Sequence, residues 1–137
     1  MELTVKHNKL SAEEFIALWE SVWGDAPSFE QTELAMKHTL FRVSVYAGEE
    51  IVAMARMIGD MGLNYYIKDV VVRPDYQGKG IGKMLIDELM CYVNQNGIKG
   101  TDIFVELCVM PDKIPFYERF GFSANKAQRL KRMVKVE

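Results

Sequence analysis

Val70-Val71-Val72-Arg73-Pro74-Asp75-Tyr76-Gln77-Gly78-Lys79-Gly80-Ile81-Gly82-Lys83 carries three signals in succession. A solid β-branched run reads as a strand buried on both faces. A loop with glycine at every second position follows. Ile81, Leu85, Leu89 and Val93 then recur every four residues, the stripe of a helix lying on a sheet. Glycines let successive N–H groups turn inward with no Cβ in the way, and a helix N-terminus adds about half a positive charge. The backbone of Gln77, Gly78, Lys79, Gly80, Ile81 and Gly82 is therefore predicted to cradle a phosphate, with Lys79 and Lys83 at its rim. Two better-known cradles do not fit. Glycines at 78, 80 and 82 give G-x-G-x-G, not the G-x-G-x-x-G of dinucleotide sites. Gln77 and Met84 stand where a nucleoside triphosphate loop needs its first glycine and its magnesium-binding hydroxyl.

Working outward, Tyr65 to Val72 is the strand feeding this loop, and Asn96-Gly97 is expected to end the helix with a left-handed turn. Upstream, Phe41 to Tyr46 and Ile51 to Ile58 flank the turn Ala47-Gly48-Glu49-Glu50, an antiparallel hairpin. Leu3 to Lys9 alternates as a first strand. Ser11-Ala12-Glu13-Glu14 is a capping box that opens a helix closed by Gly24, and Ser28 to Leu40 reads as a second helix. Downstream, Ile103 to Val109 reads as a central strand, Pro115 to Phe120 as a short helix stopped by Gly121, and Arg129 to Val136 as a final strand. The order β-α-α-β-β-β-α-β-α-β makes this an α/β (α+β) chain. A strand, helix and strand across 64–109 call for a parallel crossover, so the sheet is expected to be mixed and mostly antiparallel.

At 137 residues the chain is expected to form one domain, residues 1–137. Hydrophobic residues make up 49% and charged residues 26%, ordinary values that exclude a disordered or fibrous class. A net charge of −2 provides no field to gather nucleic acid, so no nucleic-acid partner is expected. No window approaches the roughly 18 apolar residues of a membrane span, and no membrane partner is expected. Cys91 and Cys108 sit in apolar stretches without metal-ligand spacing, which reads as two reduced core thiols and a cytoplasmic location. No metal is expected.

Gln77 to Gly82, preceded by Val70 to Tyr76, resembles the acyl-CoA pyrophosphate motif of the GNAT superfamily of N-acetyltransferases. Phe116-Tyr117-Glu118-Arg119-Phe120-Gly121-Phe122 resembles that family's second signature, the helix and turn carrying its catalytic tyrosine. The element order matches along essentially the whole chain. In one departure, many members carry an Asn about seven residues before the tyrosine, where this chain has Met110. The resemblance implies an acetyl-CoA-dependent acyltransferase with its fourth and fifth strands splayed. Val70 and Val72 would bond the pantetheine arm like an added strand, an N–H near Val71 or Val72 would face the thioester oxygen, and Gln77 to Lys83 would hold the pyrophosphate. Tyr117 would act as general acid toward the departing thiolate.

An alkylamine acceptor with a pKa near 10.4 is neutral only to roughly one part in two thousand at pH 7, so a base is needed. Glu106, mid-strand between Val105 and Leu107, is the first candidate because burial would raise its pKa; Asp69 is the second. Tyr65 and Tyr66 are expected to line the acceptor channel. A minimal chain of near-neutral charge favours a small-molecule amine acceptor. The alternatives are a protein N-terminal or lysine acetyltransferase and a non-catalytic acyl-CoA-binding module. The C-terminal strand and the 9 methionines are compatible with a homodimer, and equally with core packing.

Overall fold

The computed structural model describes residues 2–137. Leu3–His7 (β1), Phe41–Ala47 (β2), Glu50–Gly59 (β3), Asn64–Val72 (β4) and Phe104–Glu106 (β5) lie side by side in that order in one sheet. The first three pairings are antiparallel and β4–β5 is parallel, as a strand-helix-strand connection requires. The helices are Ala12–Trp23 (α1), Phe29–Lys37 (α2), Ile81–Asn96 (α3) and Ile114–Glu118 (α4).

Local chemistry sets the helix starts. Ser11 and Glu14 form the reciprocal capping box, each side chain taking the other's backbone N–H, and Gly24 ends α1 at φ +86°. Ser28 caps α2 by accepting from the Gln31 N–H; the helix stops at Lys37, three residues before the expected Leu40, where His38 takes the C-cap. The α3 stop falls at Gly97 as expected, but in extended backbone and not the left-handed turn anticipated for Asn96-Gly97.

The sheet separates two cores. On one face Leu85, Ile86, Leu89 and Val93 of α3 cover Val43, Val45, Ala53, Ala55, Met57, Tyr65 and Ile67, and Tyr117 of α4 joins them. On the other, Phe15 and Leu18 of α1 and Met36 of α2 meet Leu10, Tyr46, Met54 and Val71. Each fully buried aliphatic contributes roughly 1.5–3 kcal/mol. The solid valine run is explained by this arrangement, since Val71 packs into one core while Val70 and Val72 pack against the other.

Three expectations fail here. Ile103 to Val109 is not a central strand: β5 is three residues long at the sheet edge, with Phe104 exposed. Arg129 to Val136 is not a strand, because residues 123–137 carry no helix or strand and Leu130, Met133 and Val136 stand in solvent. Alternation becomes a strand only where a partner edge and a half-buried surface exist, and β5 pairs over three residues only. The cysteines are not core thiols either: Cys91 and Cys108 are both free and exposed, on the solvent sides of α3 and the segment after β5.

Candidate active site

The pairing of β4 with β5 covers Asn64, Tyr65 and Tyr66 and goes no further. Past Tyr66 the two strands part, which is the expected splay. Backbone directions along β4 follow from the hydrogen bonds at its ends. Phe104 N–H donates to Leu63 C=O, so the odd-numbered groups at the start of the strand face β5. Arg73 N–H donates to Val52 C=O at 2.8 Å, so by the end of the strand the odd-numbered groups face β3. Alternation therefore turns the N–H and C=O of Val70 and Val72 into the gap. The carbonyl of Val72 is met there by the side-chain amide of Gln77, Nε2 donating at 3.0 Å.

The reversal occurs at Asp69, a non-glycine residue at φ +55°. Met54 pairs with Val71 and Arg56 with Lys68, so Asp69 and Val70 together oppose the single residue Ala55, a bulge in β4. The Asp69 carboxylate accepts from Arg56 Nε at 2.6 Å, with both side chains largely buried. A carboxylate so committed is not free to serve as the base.

After β4 the chain makes a 3-10 turn at Pro74–Tyr76 and enters the glycine loop. Gly78 and Gly80 have φ +78° and +83°, and a Cβ at either would meet open space. Gly80 occupies the N-cap of α3 and offers no side chain to its first-turn amides, which are left for a ligand. Gly82 serves a different purpose: a Cβ there would stand 3.0 Å from Phe116 Cζ, so its absence lets α4 lie against the start of α3. Lys79 lies over the Tyr76 ring at 5.3 Å, and Lys83 is drawn along the helix to Asp87 at 2.6 Å. Ile81 is buried under the loop. Among the described residues no cluster of three or more His, Cys, Asp or Glu side chains suits a metal ion, and no helix is long and apolar enough to cross a membrane.

A cleft of about 820 Å³ opens beside β5 and α4. Its walls include Tyr66, Glu106, Cys108, Tyr117, Glu118 and Arg129. Tyr117 is buried between Phe116 and Phe122, and that burial pushes its phenol up to about 12. Glu106 reaches the same cleft from the β5 edge, but it is exposed, so the desolvation anticipated for it is absent. The tyrosine pair divides. Tyr66 lines the cleft, whereas Tyr65 is fully buried, edge-on to Tyr92 with ring centroids 6.3 Å apart, and its hydroxyl has no hydrogen-bond partner among the described residues. Met110, in the place of the family's Asn, is exposed before a 3-10 turn at Pro111–Lys113. His7 pairs with Glu88, and His38 caps α2 away from the cleft. Sequence reading missed the bulge, the Gln77 side-chain bond and the Phe116 contact. A lone Asp and a lone Arg inside neighbouring apolar strands were the available signal for the first.

Comparison with known proteins agrees with this geometry. The profile of the acetyltransferase (GNAT) family matches residues 9–122. An uncharacterized N-acetyltransferase, ycf52, from Pyropia yezoensis is 34% identical over 104 residues, covering 73% of this chain and 57% of that protein. The chain thus spans a little over half the length of that relative. Among solved structures, a GNAT-family acetyltransferase from Streptococcus pneumoniae superposes with a TM-score of 0.78 at 24% identity, covering 99% of this chain and 98% of the other. Glucosamine-6-phosphate N-acetyltransferase from Arabidopsis thaliana gives 0.75 at 21%, covering 96% and 99%. These two likenesses speak to the fold alone; with the profile spanning most of its length, the chain belongs to the GNAT family of acetyltransferases.

Proposed function

We propose that this chain transfers the acetyl group of acetyl-CoA to a primary amine, by direct attack of the amine on the thioester. The observation that supports it best is the continuity of two ligand-ready backbones. The gap-facing groups of Val70 and Val72 lead through one short turn to the uncapped amides at the start of α3. An acyl-pantetheine arm would lie along the first, adding a strand to the open edge. The pyrophosphate would sit on the second, where N–H groups and the helix dipole favour negative charge. Gln77, Gly78, Lys79, Gly80, Ile81 and Gly82 supply this site through their main chain, and Lys79 and Lys83 add positive charge near it. The N–H of Val72, which faces the gap, would donate to the thioester oxygen as it becomes an oxyanion, a contact worth roughly 3–4 kcal/mol elsewhere, whereas the N–H of Val71, the other expected donor, is turned onto β3.

Tyr117 is proposed as the acid. With its phenol raised to about 12 it stays protonated throughout the neutral range. A thiol near 8.5 is the stronger acid of the two, so full transfer to the sulfur is uphill by about 3.5 units. The phenol accordingly acts first as a hydrogen-bond donor to the developing thiolate, giving up its proton late. Glu106 is proposed to receive the amine's proton, directly or through water, since it is exposed in the same cleft and makes no ion pair among the described residues. Tyr66 would form the acceptor wall. Two carboxylates in the cleft, Glu106 and Glu118, favour a cationic small molecule, and a reducing cytoplasm suits the two exposed thiols.

The test is release of free coenzyme A thiol from acetyl-CoA across a panel of small amines and peptides. Turnover with small amines is expected. Thermal stabilisation by coenzyme A without turnover on any acceptor would reduce the protein to an acyl-CoA-binding module, and neither response would overturn the proposal altogether.

A further inference from the structure

We infer that Arg56, Asp69 and Thr39 form a positioning device that decides which amides of β4 face the acyl donor. The inference rests on the acetyl-transfer reading, and one of its measurements is independent of that reading. The argument starts from the inserted residue. Side chains and backbone groups alternate along a strand with period two, so one extra residue exchanges everything beyond it. Before Asp69, Tyr65 and Ile67 pack under α3; after it, Val71 packs under α1, and Val70 and Val72 take the α3 side. The main chain reverses with them, from odd-numbered groups facing β5 to even-numbered groups facing the gap. Without the bulge, the gap would be lined by the amide of Val71, with Val70 and Val72 turned onto β3.

Holding that bulge requires a residue in the left-handed region, which side chains other than glycine, asparagine and aspartate adopt with difficulty. Asp69 is tied there by Arg56 Nε. The same guanidinium donates through Nη1 to Thr39 Oγ1 at 3.1 Å, and the Thr39 hydroxyl donates onward to Ala35 C=O at 2.7 Å. One arginine on β3 thus links the strained residue of β4 to the end of α2. These residues reach neither the glycine loop nor the cleft walls. They act through the backbone.

A double-mutant cycle with hydrogen exchange tests this. In the wild type, the Val71 and Arg73 amides should be protected at least 100-fold more than those of Val70 and Val72. Asp69→Gly, which takes the left-handed conformation unaided, should keep that pattern and hold KM for acetyl-CoA within about threefold. Asp69→Val should erase the pattern and raise KM at least tenfold, and Arg56→Met should do likewise in the Asp69 background yet have little effect in the Asp69→Gly background. If Arg56→Met fails to fold, Thr39→Val supplies the same comparison at smaller amplitude. Equal effects of Arg56→Met in both backgrounds, or a wild-type exchange pattern and KM in folded Asp69→Val, would overturn the inference. Loss of all turnover with the exchange contrasts intact would instead count against the acetyl-transfer reading alone.

Discussion

Tyr117 shows how one side chain links stability to chemistry. Its phenol is raised by burial, so the neutral form is favoured in the folded state. For a group whose folded value lies above its unfolded one, the stabilisation is complete below the unfolded value and is lost as pH climbs through the folded one. Between pH 10 and about 12 the wild type should therefore lose about 3 kcal/mol that Tyr117→Phe retains, read as the difference between their urea midpoints across that range. Below pH 9 the two should be nearly equally stable. Under those conditions Tyr117→Phe should lower kcat by about 10- to 100-fold with KM for acetyl-CoA unchanged. Equal turnover in both proteins would remove the tyrosine from the mechanism.

Among the elements, the turn from β4 into α3 was the most legible in sequence, because its signals are local. The valine run, alternating glycines and four-residue stripe each act within a few residues, and the Ser11 capping box is equally self-contained. Features that depend on distant partners were not legible. The β4 bulge needs Arg56 and Thr39 from other parts of the chain, Tyr65 and Tyr66 go to different places because β5 pairs only briefly, and Glu106 is exposed because β5 is the last strand of the sheet. The alternation of Arg129 to Val136 is real, but alternation does not supply a partner. Gly80→Ala tests the turn itself. Its φ of +83° should make the variant about 1–2 kcal/mol less stable, with no clash, since a Cβ there meets open space. The added methyl would stand beside the uncapped amides, so coenzyme A affinity measured by calorimetry should fall at least tenfold.

For the molecule as a whole, the sheet is held by a core on each face, and the proposed donor site lies where β4 serves both. Ligand binding there should stabilise the entire domain and not just the loop. At a coenzyme A concentration 100-fold above its Kd, linkage adds about 2.7 kcal/mol. For a chain of 137 residues that corresponds to a melting point about 5–15 °C higher, measured by scanning calorimetry. A rise confined to local protection of residues 77–83 would mean that the loop binds without engaging β4. The bond from Gln77 to the Val72 carbonyl bears on how such engagement proceeds. That oxygen is already satisfied, so an arriving thioester arm exchanges one partner for another there. Seating the arm against Val72 would therefore be coupled to the position of the Gln77 side chain.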